Sequence, residues 1–233
     1  MSDRSVTLAK GVAFTLLLGS LASAQTAITP DLTAIPGGKG WTVFNRAVTV
    51  TDRDGRTVAE LDARPGDGMA RLDGVVFTSG EIECDIQGRS APVQGSFVGI
   101  AFGVRDAETY DAIYFRPFNF RSEDSGRRSH SVQYISHPDW TWGRLRGERP
   151  GEFENAVEPA PDGDRWLHVR IVVQPTEIRV FVDGAAEPCL TAQVLSGPRT
   201  GSIALWVGNN SPGRFAGLTI KPALPRPGGT TLP

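Results

Sequence analysis

Residues 165–184 read RWLHVRIVVQPTEIRVFVDG. Leu167, Val169, Ile171 and Val173 alternate with Trp166, His168 and Arg170; Ile178, Val180 and Val182 alternate with Arg179, Phe181 and Asp183. A period of two, carried by β-branched residues, is the pattern of half-buried strands. The apolar set faces a core and the other set faces away from it. The same reading extends outward in both directions. Val98, Ile100, Phe102 and Val104 point one way, with Phe97, Gly99, Ala101 and Gly103 opposite; Ile203, Leu205 and Val207 bury and leave Trp206 outward. Further strands are read at 47–51, 57–61, 81–87, 112–116, 131–135 and 217–220. Gly, Pro and Asp turns separate them, and Asp54-Gly55 is a strong hairpin signal. No segment sustains a helical period and no repeat of fixed length appears. The chain is therefore all-β, a sandwich or a barrel.

A length of 233 residues suits one all-β domain. The first 24 residues read as a secretory signal: Arg4 and Lys10, an apolar run from Gly11 to Leu21, then Ala22-Ser23-Ala24 before Gln25. The run falls short of the about 20 residues that span a bilayer. Its cleavage would remove Asp3, Arg4 and Lys10, so 24 basic and 26 acidic residues become 22 and 25, a net charge of −3. So even a balance points to neither nucleic acid nor an anionic membrane as partner. Residues 25–40 read as a linker or extended arm, 41–222 as the domain, and 223–233 as a disordered tail. A secreted or periplasmic protein is expected, in which Cys84 and Cys189 either pair or remain free, with Cys84 buried. Two cysteines so far apart do not make a zinc site.

Residues 97–146 hold all three tyrosines, five phenylalanines, two of the five tryptophans and two of the three histidines. Rings beside arginine and amide side chains suit a sugar, whose C–H faces lie on rings while planar polar groups bond its hydroxyls. An aromatic core with a solvated outer face would give the same composition. The candidate substrate-binding residues are Tyr114, Arg116, Gln133, His137, Trp140, Trp142, Arg170 and Trp206. Trp140 and Trp142 would share one side only if their segment is extended.

The strand order resembles the concanavalin A-like jelly roll, a β-sandwich of two antiparallel sheets. The residues that carry the likeness are GEIECDI (80–86), GSFVGIAF (95–102), TYDAIYFRPF (109–118), HSVQY (130–134), the 165–184 hairpin, GSIALWVGN (201–209) and RFAGLTI (214–220). Within that superfamily of lectins and glucanases the chain is similar to the 3-keto-disaccharide hydrolase-type domains of exported bacterial proteins, with laminin G-like modules as relatives. The resemblance implies a saccharide ligand and, for the hydrolases, cleavage of a glycoside. Retaining glucanases of the superfamily carry Glu-x-Asp-x-Glu on one strand. This chain has Glu83-Cys84-Asp85-Ile86-Gln87, and Gln87 has no proton to give where that pattern needs a general acid.

Glu83 and Asp85 share a strand face and are the candidate catalytic carboxylates, or plain surface residues. His168 joins them if its strand is their neighbour, as a proton carrier or as part of a divalent-metal site. His130 and His137 are alternative bases or loop-bonding histidines. No cofactor is required by the sequence; a divalent metal is compatible with it, and no metal ligand is assigned. Asp52, Asp54 and Gly55 read as a turn, because the remaining spacing of a calcium loop is missing. The sequence also lacks a nucleophile elbow, a phosphate-binding loop and a dinucleotide fingerprint. Two functional classes stay open: a glycoside-cleaving enzyme, or a noncatalytic lectin-like or laminin G-like binding module. Oligomeric state is not readable.

Overall fold

The alternating segments form strands, as expected, in a computed structural model that describes residues 26–53 and 55–223. In chain order they are β1 (Trp41–Phe44), β2 (Val48–Arg53), β3 (Arg56–Leu61), β4 (Gly68–Leu72), β5 (Gly80–Gln87), β6 (Val98–Val104) and β7 (Asp111–Phe115). After these come β8 (Val132–Ser136), β9 (Glu154–Asn155), β10 (Leu167–Val173), β11 (Glu177–Val182), β12 (Leu190–Gln193), β13 (Ser202–Val207) and β14 (Gly213–Pro222). Two short helices interrupt them, α1 (Ser125–Arg128) and α2 (Trp142–Glu148).

The strands form two seven-stranded sheets, ordered β1-β4-β13-β6-β7-β8-β9 and β12-β11-β10-β5-β14-β3-β2. Every pairing is antiparallel. This is the expected jelly-roll sandwich. The first sheet is called here the cleft sheet and the second the outer sheet. Apolar residues from the inner faces of both close the core, among them Ile100, Phe115, Tyr134, Ile82, Ile171 and Phe215. Burying each large side chain contributes about 1.5–3 kcal/mol, so the core dominates what holds the sheets together. The 165–184 hairpin behaves as its pattern dictates. Leu167, Val169, Ile171 and Val173 are buried, and His168 is exposed between them.

Residues expected as a linker or arm are folded. Ile28 bridges to Ile220, and Leu32–Gly37 forms a 3-10 helix capped by Asp31, which accepts from Thr33 N at 2.9 Å. Leu32 and Ile35 enter the core, and Trp41 Nε1 donates to Asp31 O at 3.1 Å. Ile28, Leu32 and Ile35 are too few, and too interrupted by Pro30, Pro36 and the glycines after it, to sustain a period, so this packing was hidden. At the other end Ala223 N bonds Ser79 O at 2.7 Å, so the first residue read as tail is tied to the fold. The segment read as a signal and residues 224–233 lie outside the described residues, as does Asp54. Both cysteines are free thiols; Cys84 is buried, and burial pushes the Cys189 thiol up to about 12. No helix among the described residues is long and apolar enough to cross a membrane.

Candidate functional site

One register row crosses all seven strands of the cleft sheet. It runs Phe44, Met69, Trp206, Gly99, Tyr114, Gln133, Glu154. With strands about 4.8 Å apart, the six steps span roughly 29 Å. Loops and the two helices cover part of this outer face, and between them lies a cleft of about 480 Å³. That volume suits a small-molecule site. A larger depression of about 950 Å³ at the sandwich edge has no aromatic ring and borders Ala223, the last described residue.

The floor is aromatic. Tyr114 and Trp206 lean toward each other across Gly99, ring centroids 5.2 Å apart, and both are buried. Phe97 meets Tyr114 edge-on at 6.2 Å and Phe118 at 5.5 Å. Gly99 is required between the rings. A Cβ there would collide with Ile113 O and stand 2.6 Å from Tyr114 Cα. Of the three exposed large hydrophobics among the described residues, two line the cleft: Val93 at 53% and Trp142 at 54%. Apolar groups kept in water at a cleft are available to a ligand.

Polar groups surround the rings. Arg116 Nη2 donates to Tyr114 Oη at 2.6 Å and to Gln133 Oε1, while its Nη1 donates to His130 O at 2.9 Å. Tyr114 Oη also donates to Gln133 Oε1 at 3.0 Å. Burial pushes the Tyr114 phenol up to about 12, against the pull of Arg116. It also disfavours the charge on Arg116, but a guanidinium stays protonated. Behind this floor, buried Glu154 takes Arg146 Nη2 at 2.8 Å and Nε at 3.2 Å, and lies 3.7 Å from Arg116 Nη1. His130 Nδ1 is 2.8 Å from Glu154 Oε2 but out of line for a good hydrogen bond. Burial lowers the His130 pKa, Glu154 opposes that, and Arg146 and Arg116 add to it. At the other end Asp67 accepts from Tyr110 Oη at 3.1 Å, and His137 stacks on Tyr110 at 4.8 Å. Buried Arg46 ties the carbonyls of Gly66 and Gly208 at 2.7 and 2.9 Å, fixing the loops that carry Asp67 and Asn209. Trp206 Nε1 and Gln133 Nε2 are buried donors without acceptors.

The structure divides the sequence candidates. Tyr114, Arg116, His137, Trp142 and Trp206 line the cleft, and Gln133 braces the first two. Trp140 parts from Trp142 because Thr141 caps α2 and the segment turns helical; Trp140 packs on the core with Arg144 over it at 4.3 Å. Arg170 lies on the outer sheet, stacked on Phe181 at 3.9 Å, and so belongs to a different face.

Glu83, Asp85 and His168 are also on that sheet, on the side of the molecule away from the cleft. Their strands are neighbours, with His168 registered to Asp85. His168 Nδ1 is 2.8 Å from Asp85 Oδ1, and Nε2 is 3.7 Å from Glu83 Oε2. Each carboxylate already has a cation: Arg56 on Asp85, and Lys221 on Glu83 at 2.6 Å. These bonds to Glu83 and Glu81 hold the Lys221 ammonium above its usual pKa. Such a set does not suit a metal ion, because the neighbouring cations would repel it. Among the described residues, no group of three or more His, Cys, Asp or Glu side chains is placed to hold one.

Alternation puts Phe97 on this face, but other wall residues, Asp67, Phe118, Asn119, Arg127, Arg146 and Asn209, carry no such signal. They come from loops and helix ends, where no period marks a face. The concentration of aromatics in 97–146 was the only signal that reached some of them.

No protein-family model matches the chain, and no curated protein matches it significantly in sequence. Solved structures do match. A carbohydrate-binding module, CBM66 from Bacillus subtilis, superposes with a TM-score of 0.53 at 13% identity over 78% of this chain and 95% of that one. A Bacillus subtilis protein of unknown function with a galectin-like fold gives 0.53 at 12% identity, covering 84% and 94%. The κ-carrageenase of Pseudoalteromonas carrageenovora, in complex with a κ-carrageenan oligotetrasaccharide, gives 0.51 at 14%, covering 88% and 98%. The likeness is one of fold. It agrees with the jelly-roll sandwich expected from the strand order.

Proposed function

We propose that the protein binds a saccharide in the cleft of the cleft sheet. The observation that carries this is the wall itself. Tyr114, Trp206, Phe97, Phe118 and Trp142 supply ring faces, while Arg116, Asn119 and Asn209 supply polar groups within one cavity of ligand size. An aromatic core alone would not leave Trp142 and Val93 in water. The folds it matches include proteins described as carbohydrate-binding, which agrees with the proposal. We place the protein outside the cytoplasm, with residues 1–24 as its signal; no nucleic acid and, once the signal is cleaved, no membrane is part of this reading.

The test is binding of the purified protein to a panel of oligosaccharides by calorimetry. Trp142→Ala should weaken binding about tenfold, a stacked ring's worth, without changing the melting temperature. Unchanged affinity in this variant and in Trp206→Leu would remove the cleft from the reading.

Cleavage, as in the 3-keto-disaccharide hydrolases, is a second proposal. The convergence of His168, Asp85 and Glu83 favours it; the open sheet face they occupy does not. Turnover of ordinary or 3-keto disaccharides, abolished by Glu83→Gln, Asp85→Asn or His168→Ala, would make that face an active site. Adding a divalent metal to the assay tests metal dependence. Binding without turnover leaves a lectin-like module.

A further inference from the structure

We propose that the cleft selects acidic saccharides, those whose sugars carry a carboxylate or sulfate group, and seats that group against Arg127 and Arg146. The proposal rests on the saccharide reading above and names its substrate class. Three arginines line the cleft, Arg116, Arg127 and Arg146, against a single acid, Asp67. The charges are separated along it. Asp67 immediately precedes β4, whereas the arginines come from the end of β7 and from α1 and α2, over the β7–β9 side.

Glu154 does not cancel this excess for a ligand. It is not a wall residue, its side chain is only 4% exposed, and it grips Arg146 from behind. That grip uses Nε and Nη2 and leaves Nη1 without a bonded partner among the described residues. Trp142 lies 5.3 Å from the Arg146 guanidinium and supports it from another side. A guanidinium so held loses little freedom when it meets an anion. Arg127 is freer. Among the described residues its guanidinium makes no hydrogen bond and no ion pair. Two arginines with donors to spare outnumber the one carboxylate, Asp67, among the lining side chains. A neutral sugar, whose hydroxyls both donate and accept, does not need that bias. An oxyanion, which only accepts, matches it. Apolar ring walls strengthen the match by confining the field.

The experiment is a panel of paired oligosaccharides: oligouronates beside their methyl esters, and sulfated galactans beside their desulfated forms. Each pair keeps its shape and changes only its charge. The acidic member should bind at least about tenfold more tightly, and the gap should narrow as salt rises from about 0.05 to 0.5 M. Which acidic set binds distinguishes carboxylate from sulfate. Arg127→Gln should lose about tenfold on acidic members and less than about twofold on neutral ones, with unchanged melting. It is the better variant because Arg146→Gln strands buried Glu154 and endangers the fold. Equal binding of acidic and neutral partners overturns the acid preference while leaving the saccharide reading intact. Binding to no member of the panel overturns both.

Discussion

Gly99 sits where the cleft's two buried rings meet, and its lack of a side chain is what lets them. Gly99→Ala should destabilise the protein by about 1–3 kcal/mol or more, because the new methyl meets the backbone of β7, which cannot rotate away. Chemical denaturation measures this; a loss below about 0.5 kcal/mol would show that the strand yields. The histidines give a pH signature. Burial lowers the folded pKa of His137, assisted by Arg199 and opposed by Asp67, and burial likewise lowers that of His130. A depressed base binds fewer protons folded than unfolded. Its stabilisation is present above the unfolded value of about 6.5 and is lost as pH falls through the folded value. The melting temperature should therefore decline from pH 7 toward 5, and His137→Asn should flatten that slope whatever it does to the absolute melting point. An unaltered slope would mean that His137 charges freely in the fold.

At the scale of elements, the Leu32–Gly37 helix is a structural part of the sandwich. Leu32→Ala and Ile35→Ala should each cost about 2–5 kcal/mol, the range for deleting buried methyl groups, whereas changes in a true linker would cost almost nothing. Thermal or urea unfolding of the two variants decides between these. The contrast shows which elements the sequence made legible. The 165–184 hairpin could be read because each alternate residue is apolar, and the same rule put Glu83 and Asp85 on one face; that His168 stands beside them is set by the pairing of β5 with β10, which alternation does not give. β4 escaped because Gly68, Met69 and Ala70 lack strand-forming side chains. α2 escaped because seven residues are too few to show a helical period, and its start at Trp142 is what separates the two tryptophans. Alternation tells which residues leave the core. It does not tell which of two outer faces the loops will cover, and that choice divides the cleft residues from the His168 cluster.

At the scale of the molecule, the two outer faces should act independently. Glu83→Gln, Asp85→Asn and His168→Ala lie across the core from the cleft, so each should leave saccharide affinity unchanged within about twofold; calorimetry on the variants checks this. Their effect on stability should also be small, about 0–1 kcal/mol each, since partly exposed pairs are screened by solvent. The row across the cleft sheet has one more consequence. Its neighbours in space are strangers in sequence: β13 near the end of the chain is wedged between β4 and β6 from its first half. Trp206 can reach Tyr114 only after everything between them has been made. A ribosome-bound fragment that stops before residue 202 lacks Trp206 and has an open seam between β4 and β6 in its place. The growing polypeptide therefore lacks a complete cleft until β13 has been made and inserted between β4 and β6.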